Sequence, residues 1–209
     1  MSYVESSVAV KQPTVLDWQW GWDAIAYGTA QRAIAKSQLW FFLLLTLGSA
    51  SNVLYTCTVP LVGFGAIAGA TLPRRRALVT VVSMWLANQV LGFTIHQYPW
   101  TLSTFAWGFV LAFGAVLVTL LASLKLKLSQ NSLTAYGAWL GIALVAGFGV
   151  YELTIWLACL VLGGCDSFTL PILWGIFQGN GIWAISLTAI HSLLVWDTLR
   201  LRQRNATPL

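Results

Sequence analysis

Six apolar runs alternate with short polar breaks along the chain, at residues 38–55, 59–72, 77–94, 102–124, 133–162 and 170–196. A helix needs about 20 residues to cross the hydrocarbon core of a bilayer, and most of these runs are of that order. The pattern predicts an all-α fold, a polytopic membrane bundle of six transmembrane helices. The second run is short and carries Gly63, Gly65 and Gly69. It is expected to be tilted, partly unwound or re-entrant, which is tolerated where the backbone is buried in protein. Five spans, with the second run failing to cross, is the competing count. The fifth run is long enough to tilt or to extend beyond the bilayer.

Composition removes the other fold classes. Charged residues make up 8% of the 209 and hydrophobic residues 58%, whereas a soluble domain carries about 25% charge because its surface faces water. A soluble domain is excluded, and so is intrinsic disorder, which needs low hydrophobicity. The net charge of +5 then reads as a matter of topology and not as a nucleic-acid footprint.

The basic residues set the expected orientation. Arg74, Arg75 and Arg76 form the second connection, Lys125 and Lys127 the fourth, and Arg200, Arg202 and Arg204 the C-terminal tail; Lys11, Arg32 and Lys36 lie in the N-terminal tail. The connections at 56–58, 95–101 and 163–169 carry no Lys or Arg. By the positive-inside rule both termini are cytoplasmic, and an even number of crossings keeps the basic clusters on one side. Three parts follow: a cytoplasmic N-terminal tail at 1–37, a transmembrane domain at 38–197 and a basic cytoplasmic C-terminal tail at 198–209 that ends frayed. Residues 1–13 are expected to be disordered. Trp18, Trp20 and Trp22, followed by Ala24, Ile25, Ala30, Ala33, Ile34 and Ala35, form either a short helix on the cytoplasmic face or a leader with an aromatic anchor. No cleaved signal peptide is read at the start, which points to a prokaryotic plasma membrane.

Helix packing in lipid relies on small residues that let backbones approach. Pairs four apart recur: Thr46/Ala50, Gly65/Gly69, Ala66/Ala70, Gly108/Ala112, Gly137/Gly141 and Gly175/Gly179. They are expected to serve packing within the bundle rather than docking between subunits.

Polar groups inside a bilayer are costly and so invite a functional reading. Asn52, Asn88, Gln89, Gln178, Asn180 and Glu152 all fall in the outer half of the bundle or near its midplane, and Glu152 is the one acidic residue within a span. Above them lie Tyr55, Cys57 and Pro60, then His96, Gln97, Tyr98, Pro99 and Trp100, then Cys165, Asp166 and Phe168. A largely apolar pocket with a few converging polar groups is what a small-molecule site needs. An outward-facing cavity is therefore expected, with Asn52, Cys57, Asn88, Gln89, His96, Tyr98, Trp100, Glu152, Asp166 and Gln178 as ligand-binding candidates. Glu152 would lie towards its floor, with His96 and Asp166 near its rim.

Each of these residues also has a structural reading. Glu152 could pair with Asn88 or Gln178, and His96 could be a simple interfacial residue. His191, close to Asp197 in sequence, reads as a packing residue and Cys159 as a small buried hydrophobe. Cys57 and Cys165 both fall outside the cytoplasm, where a disulfide persists; a bridge between them and a ligand role are open alternatives. No CxxC or HxxxH spacing supports a metal site. There is likewise no P-loop, HExxH, GxSxG or CxxCH, no Lys in the last span and no chain of acidic residues for proton pumping. No cofactor is expected, and no enzyme.

One stretch resembles a known family. The run Val59-Pro-Leu-Val-Gly-Phe-Gly-Ala-Ile-Ala-Gly-Ala-Thr-Leu-Pro-Arg-Arg-Arg-Ala-Leu-Val79, followed by Trp85-Leu-Ala-Asn-Gln-Val-Leu-Gly92, resembles the second and third spans of substrate-capture (S) components of energy-coupling-factor vitamin transporters. The resemblance is specific over about 35 residues; elsewhere it is one of layout. It implies a protein that binds a vitamin-like ligand on its outer side and delivers it by toppling in the membrane, driven by a coupling transmembrane subunit with two ATPases. It further implies a docking face of the Ala-xxx-Ala type on the first span. The nearest counterpart here, Thr46/Ala50, departs from that pattern. Cobalamin is one implied ligand, with Cys57 as the residue that would meet the cobalt.

The expected function is thus ligand capture for uptake, with a small molecule, the lipid bilayer and such a coupling module as partners, and no nucleic acid. The alternative is a structural or assembly subunit of a larger respiratory or photosynthetic membrane complex, favoured by the 12 Trp and the small-residue faces. A weaker third reading makes Glu152 the acid or base of an intramembrane enzyme.

Overall fold

The computed structural model describes residues 24–54, 59–124, 133–167 and 169–206. Among these, regular structure is entirely helical: α1 (Ala24–Lys36), α2 (Gln38–Leu54), α3 (Leu61–Thr71), α4 (Arg74–Thr94), α5 (Leu102–Ala122), α6 (Leu133–Leu162) and α7 (Leu170–Ala206), with a 3₁₀ turn at Cys165–Ser167. Four of them, α4 to α7, are long and apolar enough to cross a membrane, and α1 with α2 forms a fifth candidate bent by 60°. A multi-pass membrane protein follows from these lengths and compositions.

α3 is the axle of the bundle. All eleven of its residues are buried, and it touches every one of the other six helices. Eleven residues rise only about 16 Å, roughly half the hydrocarbon thickness. The helix starts beside Gly108 and Leu111 of α5 and ends beside Thr119 and Ala122, so it runs along only the C-terminal part of α5. Its small residues explain how a helix fits there. A Cβ on Gly69 would fall 2.8 Å from the Ala122 Cβ, and one on Gly65 3.0 Å from the Thr119 hydroxyl. Backbones this close gain dispersion contacts that larger side chains would forbid.

The remaining helices each turn a stripe inward at helical spacing. On α4 it is Ala77, Thr80, Val81, Met84, Asn88 and Gly92; on α6 it is Tyr136, Leu140, Ala143, Gly147 and Tyr151. Opposite faces carry exposed apolar residues such as Leu86, Val90, Ile142 and Val145, as lipid-facing helices do. Thr71 and Thr119 return their hydroxyls to the Ile67 and Ala115 carbonyls one turn back, at 2.7 and 2.8 Å, which satisfies them inside the apolar interior.

One end of the bundle gathers the basic residues of the described segments. Ser37 breaks the chain between α1 and α2 and accepts the Leu39 N–H, as an N-cap does. Arg76 donates to the Lys36 carbonyl at the end of α1 at 2.8 Å. At the same end, the Trp40 indole N–H donates to the Thr71 hydroxyl at 2.9 Å, and the His191 ring packs between those of Trp40 and Tyr136. α7 continues helically past the expected end of its span to Ala206. Its 37 residues amount to about 55 Å, well beyond a bilayer core. The extension is met by α1, whose Tyr27 and Ala30 bury against Val195 and Leu199.

The other end holds the connection at 95–101 and the described part of that at 163–167, which carry no Lys or Arg. Cys165 is bonded to Cys159, six residues earlier, with a Cα–Cα distance of 5.2 Å. Gly163 and Gly164 reverse the chain between them at φ of 82° and 91°, values glycine adopts without a Cβ penalty. This corrects two readings: Cys159 is not merely a small hydrophobe, and Cys165 is committed to it, so it is not available to Cys57. Cys57 itself, Lys125 and Lys127, Phe168 and the Trp18–Trp22 segment lie outside the described residues.

Candidate functional site

At the end opposite the basic cluster, where α3 begins, a partly enclosed cavity of about 110 Å³ opens between the helices. Val59 and Leu61 at the start of α3 form one wall, and Asn88 and Gln89 of α4 another. Tyr98 comes from the α4–α5 connection, Thr104, Trp107, Gly108 and Leu111 from α5, and Tyr151 from α6.

Three glycines place its polar side chains. The connection after α4 folds back so that the Tyr98 N–H bonds the Gly92 carbonyl at 3.0 Å, and Gln97 takes a positive φ of 55° in that reversal. The Tyr98 ring then lies on Gly92, where a Cβ would meet it at 2.5 Å. Gln89 occupies the space that a side chain at Gly108 would fill, and the Tyr151 ring lies over Gly114, 2.7 Å from where a Cβ would be. Each large polar residue thus has a missing side chain opposite it, and any substitution at these glycines would push it out of place.

The hydrogen-bonding capacity is only partly used. Gln89 Nε2 donates to Asn88 Oδ1 at 3.1 Å. Asn88 is 6% exposed, yet among the described residues its amide Nδ2, the Gln89 Oε1 and the Tyr151 hydroxyl make no hydrogen bond. Asn88 and Tyr151 are buried residues and Gln89 is half-buried, so these three groups face the cavity with capacity that a ligand or water there can complete. Among the described residues no charged side chain lines it, so the arrangement suits an uncharged molecule bearing donors and acceptors. Thr104 is held by the start of α5, where its N–H bonds the Thr101 hydroxyl.

The sequence-derived candidates divide clearly. Asn88, Gln89 and Tyr98 line the cavity together. His96 is half-buried and does not line the cavity, its ring stacked 6.0 Å from that of Tyr98, and Trp100 is 75% exposed beside Phe93. Asn52 is buried elsewhere, its Nδ2 donating to the Gly48 carbonyl of its own helix at 3.0 Å. Gln178 and Asp166 are exposed and do not line the cavity. Glu152 follows Tyr151 on α6 without lining the cavity, and its Oε1 has no hydrogen-bond partner among the described residues, so the pairings with Asn88 and Gln178 are not made. Cys57 lies outside the described residues.

Tyr151, Thr104, Trp107 and the start of α3 are the lining groups that sequence reasoning missed. Tyr151 sits inside an apolar aromatic run; its signal was the spacing from Tyr136, Leu140, Ala143 and Gly147 that puts it on the inward stripe. Comparison with protein-family models, curated proteins and solved structures finds no match to this chain.

Proposed function

We propose that this protein is an integral-membrane subunit that captures a small uncharged ligand at the cavity around Asn88, Gln89 and Tyr151 and serves its uptake. The observation that carries this reading is the set of unpaired amide and hydroxyl groups on that cavity. The orientation is part of the proposal: the cavity faces outward, both termini are cytoplasmic, and α3 counts as a sixth, foreshortened span. Two features support it. The basic residues gather at the opposite end, as the positive-inside rule requires, and the Cys159–Cys165 bridge sits at the cavity end, as an oxidising compartment would allow.

The resemblance to vitamin-transporter S components fits a chain of this size in a prokaryotic plasma membrane. The α2 face bearing Leu39, Phe42, Thr46, Ala50 and Val53 is exposed and is where a coupling subunit would dock. A volume of about 110 Å³ is below the roughly 300–1,000 Å³ typical of sites for drug-sized ligands. Cobalamin would therefore require the outer connections to open, and a smaller neutral compound is the better fit.

Native mass spectrometry of the protein purified in mild detergent tests the reading. A reproducible small-molecule adduct, lost in Asn88→Leu, is expected. Adduct-free protein that also fails to shift its melting temperature with a panel of neutral vitamins would sink it. The second reading, an assembly subunit, is favoured by Gly137, Gly141, Gly175 and Gly179, which have nothing within 4 Å of a would-be Cβ. Migration on native gels as a small free species from unfractionated membranes counts against it.

A further inference from the structure

A second space adjoins the first. On the lipid-facing side of α4 and α5 an apolar groove of about 370 Å³ is lined by Trp85, Val90, Phe93, Trp100, Phe105 and Phe109. Phe93 stacks on Phe105 with ring centres 4.8 Å apart and contacts Trp100 at the same distance. The one indole N–H that could make the groove polar at its inner end, that of Trp85, is spent on the Gly108 carbonyl at 2.7 Å. Gln89 lines both spaces. Its amide rests against Gly108, so this side chain borders both a polar cavity inside the bundle and an aromatic groove open to the bilayer.

We infer that cavity and groove are the two halves of one site, which takes a neutral amphiphile from the membrane: an uncharged hydroxyl or amide head among Asn88, Gln89 and Tyr151, and an apolar body along Phe93, Phe105 and Phe109. The inference rests on the ligand-capture reading and narrows it to a substrate class. The chemistry of the two spaces argues for this occupant. The head space offers unpaired neutral donors and acceptors and no charge, so a carboxylate or ammonium would be buried without a counter-ion, at prohibitive cost. The tail space offers mainly aromatic and aliphatic faces, with the Trp85 indole and the Thr94 hydroxyl spent on backbone carbonyls, which favours hydrocarbon or ring surface. Taken together, the two volumes reach the range of sites for drug-sized ligands, which the cavity by itself does not. Gln89 swings on flexible torsions, so its withdrawal from Gly108 joins the two spaces without moving a helix.

The test uses the full chain in lipid nanodiscs and a photoactivatable twelve-carbon primary alcohol with a mid-chain diazirine, with labelled residues mapped by peptide mass spectrometry. Labelling is expected to concentrate on Phe93, Phe105 and Phe109. It should fall by about fivefold or more in Asn88→Leu, the effect of losing one or two hydrogen bonds to the head, and should persist in Val82→Ala on the lipid face of α4. Unlabelled dodecanol should compete, and dodecanoate should compete far less. Phe105→Ala, which leaves the polar cavity intact, provides a second variant should Asn88→Leu not fold. Label spread evenly over all lipid-facing helices, undiminished labelling in both variants, or equal competition by dodecanoate overturns the inference. Butyramide separates the two levels. If it raises the melting temperature in an Asn88-dependent way while the alcohol does not label the groove, the cavity reading stands and the amphiphile falls; if neither binds, both fall.

Discussion

The side chain of Asn180, on the last helix, accepts the backbone N–H of Gly63 at 2.8 Å, across 117 residues of sequence. α3 begins inside the bundle with Pro60 at its N-cap position and no side-chain cap of its own. Its first-turn amides have no water to turn to at that depth, and an unsatisfied N–H in such a place costs free energy comparable to a lost hydrogen bond. Asn180 also donates to the Ile176 carbonyl at 2.9 Å, which fixes the amide in the orientation the cap needs. The same contact brings the backbones so near that a Cβ on Gly63 would lie 2.6 Å from the Asn180 carbonyl oxygen.

Removing that cap is expected to destabilise the protein. Asn180→Leu leaves the Gly63 amide buried and unpaired and should cost about 1–2 kcal/mol. Gly63→Ala should cost about 1–3 kcal/mol, since the clash is with backbone that cannot rotate away. Denaturation of the detergent-purified protein followed by Trp fluorescence measures both. An unchanged midpoint in Asn180→Leu would mean that the start of α3 is held some other way.

The small-residue pairs supply a contrast that a single method resolves. Gly69→Val drives two methyls into Thr119, Ala122 and Ser123, against both backbone and side chain, and should cost about 3 kcal/mol or prevent folding. Gly137→Val and Gly141→Val meet nothing within 4 Å and should stay within about 0.5 kcal/mol of the parent. Equal damage at all three sites would refute the central position of α3.

That contrast also shows what was legible in the sequence. Two breaks between helices were, because Pro73 and the Gly163–Gly164 pair interrupt the apolar runs; the start of α4 at Arg74 and the extension of α7 to Ala206 were not, because charged residues outside the apolar run still continue a helix. The shortness of α3 could be read from the run at 59–72. Which GxxxG faces inward could not: Gly65/Gly69 and Gly137/Gly141 are the same pattern, and only the neighbouring helix tells them apart. Asn88 and Gln89 stood out as amides in an apolar run, and Tyr98 as part of a polar outer turn. Tyr151 did not, since an aromatic ring is at home in a membrane helix and its hydroxyl becomes informative only when the cavity is seen. Asn180 was visible as a buried amide, but its partner is a backbone group that no residue type announces. The Cys159–Cys165 bridge was missed because Cys159 was read with its apolar neighbours and not across the glycine turn.

Reducing that bridge should have a measurable effect. The native protein is expected to lack free thiol at Cys159 and Cys165, with a mass about 2 Da below the reduced form. Reduction removes a constraint on a short loop, worth about 2 kcal/mol in the chain-entropy account. Maleimide labelling before and after a reductant, read by intact mass and by melting temperature, decides this. Ready labelling of Cys165 in unreduced protein would contradict the assigned pairing.

The sidedness of the site yields to the same chemistry. Replacing Cys57 by Ser leaves the remaining cysteines in the bridge, so a new single cysteine is the reporter. Arg75 is exposed at the basic end, and Trp100 at 75% exposure at the cavity end. In Cys57→Ser cells or right-side-out vesicles, an impermeant maleimide should label Trp100→Cys without permeabilisation and Arg75→Cys only after it. Arg75 lies in the first turn of α4 and Trp100 beyond its far end, and this 21-residue helix of about 30 Å is long enough to separate the two faces. Labelling of both from one side would place α4 along the membrane instead of across it. The cavity would then lose its access to the outer compartment, and capture from outside would no longer be tenable.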